Sequence, residues 1–235
     1  MRALRIRSYI FGVKLLVEVI KLKFINSNNS TAIESRTQVV NTLSLERILA
    51  ENGSDKSVMH DYWHTYEKWM RDMRGNNGAL FELGLGTNNP EIPSNMGGNF
   101  VTGGSLRAWA TYFPKFQIFG ADIDRDALFQ DDRINTCWVD QTKPKSFESI
   151  YSMLHDKQLD FIIIDGLHQP YADILSVRKL LPYLKIKGHI FIEDVEESSW
   201  IRFIWGVSLK LLPKRFKSEV ITHKGGLVVN IQRVG

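Results

Sequence analysis

The sequence contains a single cysteine, Cys137, among its 235 residues. One thiol cannot form an internal disulfide or a thiolate metal site, so any metal would be held by oxygen or imidazole ligands. This scarcity favours a cytoplasmic protein over a small secreted domain. The remaining composition, with 43% hydrophobic and 24% charged residues, excludes disorder, collagen and a disulfide scaffold. We expect Cys137 to be a small core residue.

Long apolar runs are also missing. Residues 1–24 alternate apolar residues with Arg and Lys at helical spacing, and no run among them is long enough to cross a bilayer. Lys14 and Glu18 interrupt the apolar stretch, which disfavours a signal peptide. We expect a basic amphipathic helix and a polar linker within residues 1–35, and one domain over residues 36–235. The helix would pack on the domain or another subunit, or make peripheral contact with a membrane.

Positive charge is scarce outside this N-terminal segment. The whole chain has a formal net charge of +4, and residues 1–24 hold six basic residues against one acidic residue. The rest of the chain therefore has a slightly negative net charge. A domain without excess positive charge lacks the phosphate-neutralising surface of a nucleic-acid binder, so we expect no nucleic-acid partner.

Short apolar segments alternate with helical patterns from residue 79 onward. Strands are predicted at residues 79–83, 117–121, 134–139, 159–165 and 189–194, and helices at 104–112, about 146–156 and 171–184. After a helix at about 199–211, residues 218–222 and 227–232 form a predicted hairpin around HKGG. The predicted fold class is α/β: a Rossmann-like, doubly wound, mostly parallel sheet of about seven strands with a C-terminal antiparallel hairpin.

The first predicted strand ends in a glycine-containing turn. Glu82 begins the sequence ELGLG, in which Gly84 and Gly86 allow a sharp turn and close approach to a ligand. The third glycine of a dinucleotide fingerprint is missing, which disfavours a nicotinamide dehydrogenase. Asp122 and Asp124 follow the second strand, where a carboxylate can accept hydrogen bonds from ribose hydroxyls. Together these features indicate an adenosyl ligand.

Acidic residues also end the fourth and fifth predicted strands. Asp165 closes the fourth strand, His168 follows three residues later, and Glu193 and Asp194 close the fifth. These strand ends would be neighbours in a parallel sheet, and a crowded oxygen cluster suits Mg²⁺. Adjacent strand residues point to opposite faces, so Glu193 and Asp194 can share a metal only if the strand has begun to turn. The alternative is that these acids cap the helices that follow.

Two further segments border this predicted site. Residues 61–74 are predicted to form an amphipathic helix. Tyr62, His64 and Tyr66 in this range, and His60 directly before it, are interpreted as surface or substrate-facing residues. The long irregular loop 87–102 is typical of a lid or a substrate wall.

The turn after the first strand, the acidic end of the second, and Asp140-Gln141 after the third resemble class I S-adenosylmethionine-dependent methyltransferases. Residues 52–69, the segment GGSLRAWATYFPKFQIFGADID (103–124), and the segments IIIDGLHQ and FIEDV are similar to metal-dependent sugar O-methyltransferases of the macrolide-tailoring and cephalosporin-pathway type. The resemblance covers residues 45–235. The turn TGGS departs from the family's proline-glycine-small-serine pattern.

The resemblance implies two cofactors, S-adenosylmethionine and Mg²⁺. It implies metal binding by Asp165, Glu193 and Asp194, with Asp165 also taking part in catalysis and His168 acting as general base. The residues implied for the methyl donor are Glu82, Gly84, Gly86, Ser105, Asp122, Asp124, Asp140 and Gln141.

The implied reaction is methylation of a sugar hydroxyl in a surface polysaccharide or a glycosylated natural product, by a homo-oligomer. A membrane-associated basic helix would suit work at the inner membrane surface, where lipid-linked saccharides are found. Two alternatives stay open: a catechol- or phenol-directed methyltransferase, because a metal-bound diol need not be a sugar, and a non-catalytic partner protein that keeps the fold.

Overall fold

The computed structural model describes residues 14–22, 43–97, 100–224 and 226–235. The predicted linker and the predicted domain boundary at residue 36 lie outside these described residues, so the division of the chain stays a prediction. In the described part of the chain, strands and helices alternate as the apolar pattern predicts.

The helices are residues 14–21 (α1), Leu45–Glu51 (α2), Trp63–Met70 (α3), Gly104–Tyr112 (α4), Glu148–Leu154 (α5), Pro170–Leu180 (α6) and Ser199–Lys210 (α7). The strands are Gly78–Leu83 (β1), Phe116–Asp122 (β2), Gln130–Asp131 (β3), Ile134–Trp138 (β4), Leu159–Ile164 (β5), Leu184–Val195 (β6), Phe216–His223 (β7) and Gly226–Arg233 (β8). Helix α7 begins after Ser198, whose hydroxyl accepts a hydrogen bond from the Ile201 backbone N–H at 3.3 Å and so caps the helix.

The strands form one sheet in the order β3-β4-β2-β1-β5-β6-β8-β7. The five strands from β4 to β6 in this order pair in parallel, and β8 pairs antiparallel with both β6 and β7. The predicted fold class is confirmed, including the C-terminal hairpin. The eighth strand is β3, which adds two residues antiparallel to the edge of β4. A two-residue strand carries no periodicity that a sequence could reveal.

The central strands of the sheet are buried on both faces. Helices α1, α5, α6 and α7 cover one face, which includes Phe81 and Ile162, and helices α2, α3 and α4 cover the other, which includes Leu80 and Ile163. All six residues of β5 are buried, as its apolar sequence predicts. Burial of each large apolar side chain contributes roughly 1.5–3 kcal/mol, so the central strands provide a rigid support for their carboxyl ends.

Helix α1 packs on α6 through one side only. Leu15, Val19 and the adjacent Leu22 join the apolar core, and the carboxylate of Glu18 pairs with the Arg178 guanidinium of α6. Among the residues that the structure describes, no helix is both long and apolar enough to span a bilayer. The packed side agrees with the prediction of a helix that docks on the domain.

Candidate functional site

A cavity of about 360 Å³ opens at the carboxyl edge of the parallel strands. The carboxyl ends of β1, β2, β4, β5 and β6 all lie at this edge because these strands are parallel. The predicted site residues that line the cavity are Gly84, Gly86, Ser105, Asp122, Asp140, Gln141, Asp165, His168 and Asp194. Three predicted residues do not line it: Glu82, Asp124 and Glu193.

The turn after β1 depends on its two glycines. Gly84 has φ 97°, and a Cβ atom there would collide with the backbone carbonyl of Asp165. Gly86 has φ 71°, and a Cβ atom there would overlap the Met96 side chain from the loop over the cavity. Both positions therefore require glycine for backbone conformation and for close packing.

Asp122 supports this turn from the end of β2. Its Oδ2 accepts the Leu85 N–H at 2.6 Å, and its Oδ1 accepts the Asp124 N–H at 2.8 Å. Burial raises the pKa of Asp122, against the lowering effect of these hydrogen bonds. Asp122 still borders the cavity, in the position where a ribose contact is predicted.

Asp124 is predicted to contact the methyl donor, but it does not line the cavity. Its carboxylate accepts hydrogen bonds from the Thr87 hydroxyl and from the Asp126 N–H at 3.0 Å. Asp124 thus links Thr87 of the loop after β1 to the turn after β2, and donor binding by Asp124 stays a prediction.

Glu82 lies beneath the cavity. Its side chain is fully buried, its Oε2 accepts the indole N–H of Trp109 at 2.8 Å, and its Oε1 is 3.3 Å from the Lys56 ammonium. Burial raises the pKa of Glu82, although the Lys56 charge opposes this. Glu82 does not line the cavity, and a direct cofactor contact by this residue stays a prediction.

Asp140 and Gln141 both line the cavity, and their side chains are held by protein groups. The Asp140 carboxylate accepts the Thr142 N–H at 2.9 Å and pairs with Lys143 at 2.7 Å. Gln141 accepts the Leu167 N–H at 2.7 Å through Oε1 and donates to the Ser176 hydroxyl at 3.2 Å through Nε2. Gln141 therefore holds the loop that carries His168.

Asp165, His168 and Asp194 meet at the opposite side of the cavity. They offer one ligand atom each, and these atoms lie within 4.8 Å of one another. His168 Nε2 is 3.9 Å from Asp165 Oδ1 and 3.8 Å from Asp194 Oδ2. Carboxylate oxygens with an imidazole and an open side fit a hydrated divalent cation such as Mg²⁺. The predicted convergence of these residues is thus observed.

The backbone of β6 turns at Asp194. A turn at this point is what Glu193 and Asp194 would need in order to share a metal. Asp194 has φ 51°, and the pairing of β6 with β8 shifts register between Ile192 and Val195. His168 also has a left-handed backbone, with φ 53°. Non-glycine residues rarely adopt this conformation, and it is concentrated at functional sites.

Glu193 faces away from the three clustered residues. Its Oε1 accepts the Tyr66 hydroxyl and its Oε2 is 2.7 Å from the Lys56 ammonium. Burial raises the pKa of Glu193 to about 7, against the lowering effect of Lys56. Metal ligation by Glu193 stays a prediction, since the carboxylate would have to exchange one of these contacts.

Lys56 is a residue that the sequence interpretation missed. Its side chain is 1% exposed, and its ammonium contacts the carboxylates of Asp165, Glu193 and Glu82. Burial lowers the pKa of Lys56, but these three carboxylates raise it well above its ordinary value, so the ammonium is charged. The one signal in the sequence that could have pointed to Lys56 is that it lies within residues 52–69, which resemble the family.

Two tyrosines of the α3 segment lie under the carboxylates. Tyr62 and Tyr66 are fully buried, so their interpretation as surface or substrate-facing residues is wrong. The Tyr62 hydroxyl donates to Asp194, and the His60 ring stacks on Tyr62 with centroids 4.6 Å apart. His60 Nδ1 lies 4.0 Å from Asp194 Oδ1. The segment before the first strand is therefore part of the site.

Cys137 agrees with its interpretation as a small packing residue. It lies partly buried against the core, and burial raises the pKa of its thiol to about 12. A thiol with so high a pKa is protonated at neutral pH and is a poor nucleophile.

Comparisons with known proteins identify sugar O-methyltransferases. The chain is 28% identical over 159 residues to the 8-demethyl-8-alpha-L-rhamnosyl tetracenomycin-C 2'-O-methyltransferase of Streptomyces olivaceus, covering 68% of this chain and 39% of that protein. It is 30% identical over 145 residues to the mycinamicin VI 2''-O-methyltransferase of Micromonospora griseorubida, covering 60% and 34%. The match spans well under half the length of these relatives. No protein-family model matches the chain.

The structure is similar to that of the MycE methyltransferase of the mycinamycin biosynthetic pathway, which was solved in complex with Mg, SAH and mycinamycin VI. The TM-score is 0.64 at 21% identity, over 83% of this chain and 55% of MycE. At this identity the structural likeness establishes the fold. The chain therefore has the class I methyltransferase fold, and its sequence is similar to sugar O-methyltransferases of natural-product pathways.

Proposed function

We propose that this protein is an S-adenosylmethionine- and Mg²⁺-dependent O-methyltransferase that acts on a sugar hydroxyl of a glycosylated natural product or a surface polysaccharide. The observation that carries this proposal is a single cavity with Gly84, Gly86 and Asp122 on one side, and with Asp165, His168 and Asp194 on the other. The similarity to sugar O-methyltransferases supports the same reaction class.

When bound, S-adenosylmethionine would supply the methyl group and Mg²⁺ would polarise the acceptor hydroxyl. The chain supplies the remaining functions. Asp122 and the glycine turn seat the donor, and Asp165 and Asp194 provide carboxylate oxygens for the ion. His168 Nε2, which lies 3.9 Å from Asp165 Oδ1 and 3.8 Å from Asp194 Oδ2, accepts the proton of the acceptor hydroxyl.

Calorimetric titration with S-adenosylhomocysteine, with and without Mg²⁺, tests the donor and metal assignments before an acceptor is known. Micromolar binding, about −8 kcal/mol, is expected. If no binding occurs in either condition, the proposal fails and the alternative of a non-catalytic partner protein is favoured.

An acceptor panel tests the substrate class. With Mg²⁺ present, we expect methyl transfer to glycosides that carry a vicinal diol and none to simple catechols. Preferential transfer to a catechol would instead identify a phenol-directed enzyme. The predicted homo-oligomer is tested on the same preparation by light scattering, in which a monomeric mass contradicts it.

The proposal includes contact between the N-terminal helix and an anionic cytoplasmic membrane surface. On the outward side of α1, Leu16 and Ile20 are 59% and 48% exposed, and the flanking Lys14 and Lys21 are exposed. Apolar side chains between lysines suit an anionic lipid surface. A symmetric contact between two copies would instead place two basic segments side by side, and their like charges disfavour that contact.

Flotation with phosphatidylserine-containing liposomes tests this contact. We expect the full chain to float with anionic vesicles and not with neutral ones, and the Leu16→Glu/Ile20→Glu variant to remain unbound. Val220→Glu, which changes an exposed valine on β7, is the control. Equal partitioning of the protein and the double variant would refute membrane contact.

A further inference from the structure

Lys56 joins the ends of three neighbouring strands. Glu82 belongs to β1, Asp165 follows β5 and Glu193 belongs to β6, and these strands are adjacent in the sheet. The ammonium contacts Asp165 Oδ2, lies 2.7 Å from Glu193 Oε2 and 3.3 Å from Glu82 Oε1. One buried cation is therefore the common partner of three acidic side chains.

Each of the two glutamates that contact Lys56 also accepts one hydrogen bond from an aromatic side chain. Glu193 also accepts the Tyr66 hydroxyl, and Glu82 also accepts the Trp109 indole N–H. Both glutamates are thus held from two sides and point away from the cavity. A buried carboxylate that loses its partner is strongly destabilised, so Lys56 is needed for this arrangement.

The two oxygens of Asp165 face different groups. One oxygen, Oδ2, is bound by Lys56, whereas Oδ1 faces the His168 imidazole at 3.9 Å, on the side of the cavity where Asp194 also lies. Rotation of the carboxylate away from this orientation would break the Lys56 contact. Lys56 therefore fixes the orientation of the Asp165 carboxylate, in which one oxygen is bound by the lysine and the other faces His168.

The segment that carries Lys56 is itself anchored. The Ser54 N–H donates to the Leu49 carbonyl of α2 at 3.0 Å, and the Gly53 carbonyl accepts the Val101 N–H at 3.2 Å. The Lys56 N–H donates to the Ser54 hydroxyl at 3.4 Å. The lysine thus extends from a fixed turn, as a positioning group must.

We propose that Lys56 is a positioning residue that orients the Asp165 carboxylate with one oxygen toward His168 and Asp194, with Glu193 as its buried counter-charge. This role rests on the proposed function in one respect, namely that Asp165 is positioned to bind a metal ion. The orientation of Asp165 and the order of its loop can be measured without a metal.

The first test measures Mn²⁺ affinity by electron paramagnetic resonance in the presence of S-adenosylhomocysteine, for the wild-type protein and for Lys56→Met. A positioning role predicts at least tenfold weaker Mn²⁺ binding in Lys56→Met. Charge repulsion alone predicts the opposite, because removing a cation beside a metal site strengthens metal binding. Unchanged or tighter binding in folded Lys56→Met would overturn the proposal. Lys68→Met, at a 57% exposed lysine of α3, is the control.

The second test measures hydrogen exchange in a peptide covering residues 163–170, without metal. Exchange is expected to be at least tenfold faster in Lys56→Met than in wild type, and unchanged exchange would overturn the proposal. If the wild-type protein binds no Mn²⁺, the metal part of the proposed function fails and this exchange measurement decides the role of Lys56 by itself.

A double variant keeps the proposal testable if Lys56→Met does not fold. Lys56→Met/Glu193→Gln removes one buried charge of each sign, so it leaves fewer unpaired buried carboxylates than Lys56→Met and is expected to be the more stable of the two. Its exchange over residues 163–170 is compared with that of Glu193→Gln alone. Faster exchange in the double variant supports the positioning role, and equal exchange contradicts it.

Discussion

The two sides of the cavity are organised by different kinds of contact. We call the side with Gly84, Gly86 and Asp122 the donor side, and the side with Asp165, His168 and Asp194 the metal side, after their proposed ligands. On the donor side, Asp122 accepts the backbone N–H groups of Leu85, after β1, and of Asp124, after β2. On the metal side, Lys56 binds Asp165 and Glu193, which lie 109 and 137 residues further along the chain. Backbone hydrogen bonds form the donor side, whereas long-range buried ion pairs form the metal side. Substitutions should therefore separate the two.

The largest expected effect is on the metal side. His168→Ala removes the proposed proton acceptor, so we expect turnover to fall by roughly 10²- to 10⁴-fold. The affinity for S-adenosylhomocysteine should change by less than about threefold, because His168 lies opposite the donor side. Turnover with an active acceptor and calorimetry measure the two quantities. Wild-type turnover in His168→Ala would remove this residue from the mechanism.

The matching change on the donor side is Asp122→Asn. The amide keeps the shape but loses the charge that strengthens hydrogen bonds to ribose and backbone, so donor affinity should weaken by about 10- to 100-fold. Mn²⁺ affinity should be unaltered. Asp126→Asn, at an exposed acid of the following turn, is the control. A comparable loss of Mn²⁺ binding in Asp122→Asn would show that the two sides are not independent.

Gly84→Ala should affect both sides, because Gly84 lies where the donor turn packs against the carbonyl of Asp165. The added methyl group meets backbone at a φ of 97°, so we expect a loss of about 1–3 kcal/mol in the free energy of unfolding. Urea unfolding measures this loss. Gly206→Ala in α7, where a Cβ atom has open space, should be neutral or slightly stabilising. Equal stability of the two variants would contradict the predicted close approach.

The smallest effect is expected for Gln141→Leu. Gln141 reaches from the donor side to the loop of His168, where it accepts the Leu167 N–H. Leucine keeps the volume and loses this bond, so stability should fall by about 1 kcal/mol, since the partly buried Leu167 N–H loses its acceptor. Turnover should fall more than donor affinity. If only donor affinity changes, Gln141 acts as the direct cofactor contact that the sequence predicts.

Local sequence patterns determined most of the fold and one half of the site. Apolar runs such as residues 159–164 are long enough for a buried strand, and their alternation with helical periods predicts a parallel sheet and its functional edge. Gly84 and Gly86 mark a turn because few other residues adopt its backbone. Asp165, His168 and Asp194 were predictable because strand ends of a parallel sheet converge.

Only the tertiary structure decided where the remaining charged side chains point. Asp124, Glu82 and Glu193 share the residue types and strand-end positions of true cavity residues, but their neighbours turn them toward the loop and the protein interior. Lys56 lies in a short turn segment whose sequence gives no periodic signal of burial, and its three partners lie on or next to strands further along the chain. Periodicity encodes which face a residue occupies. The pairing of a buried charge depends on which distant groups the fold brings within hydrogen-bond distance.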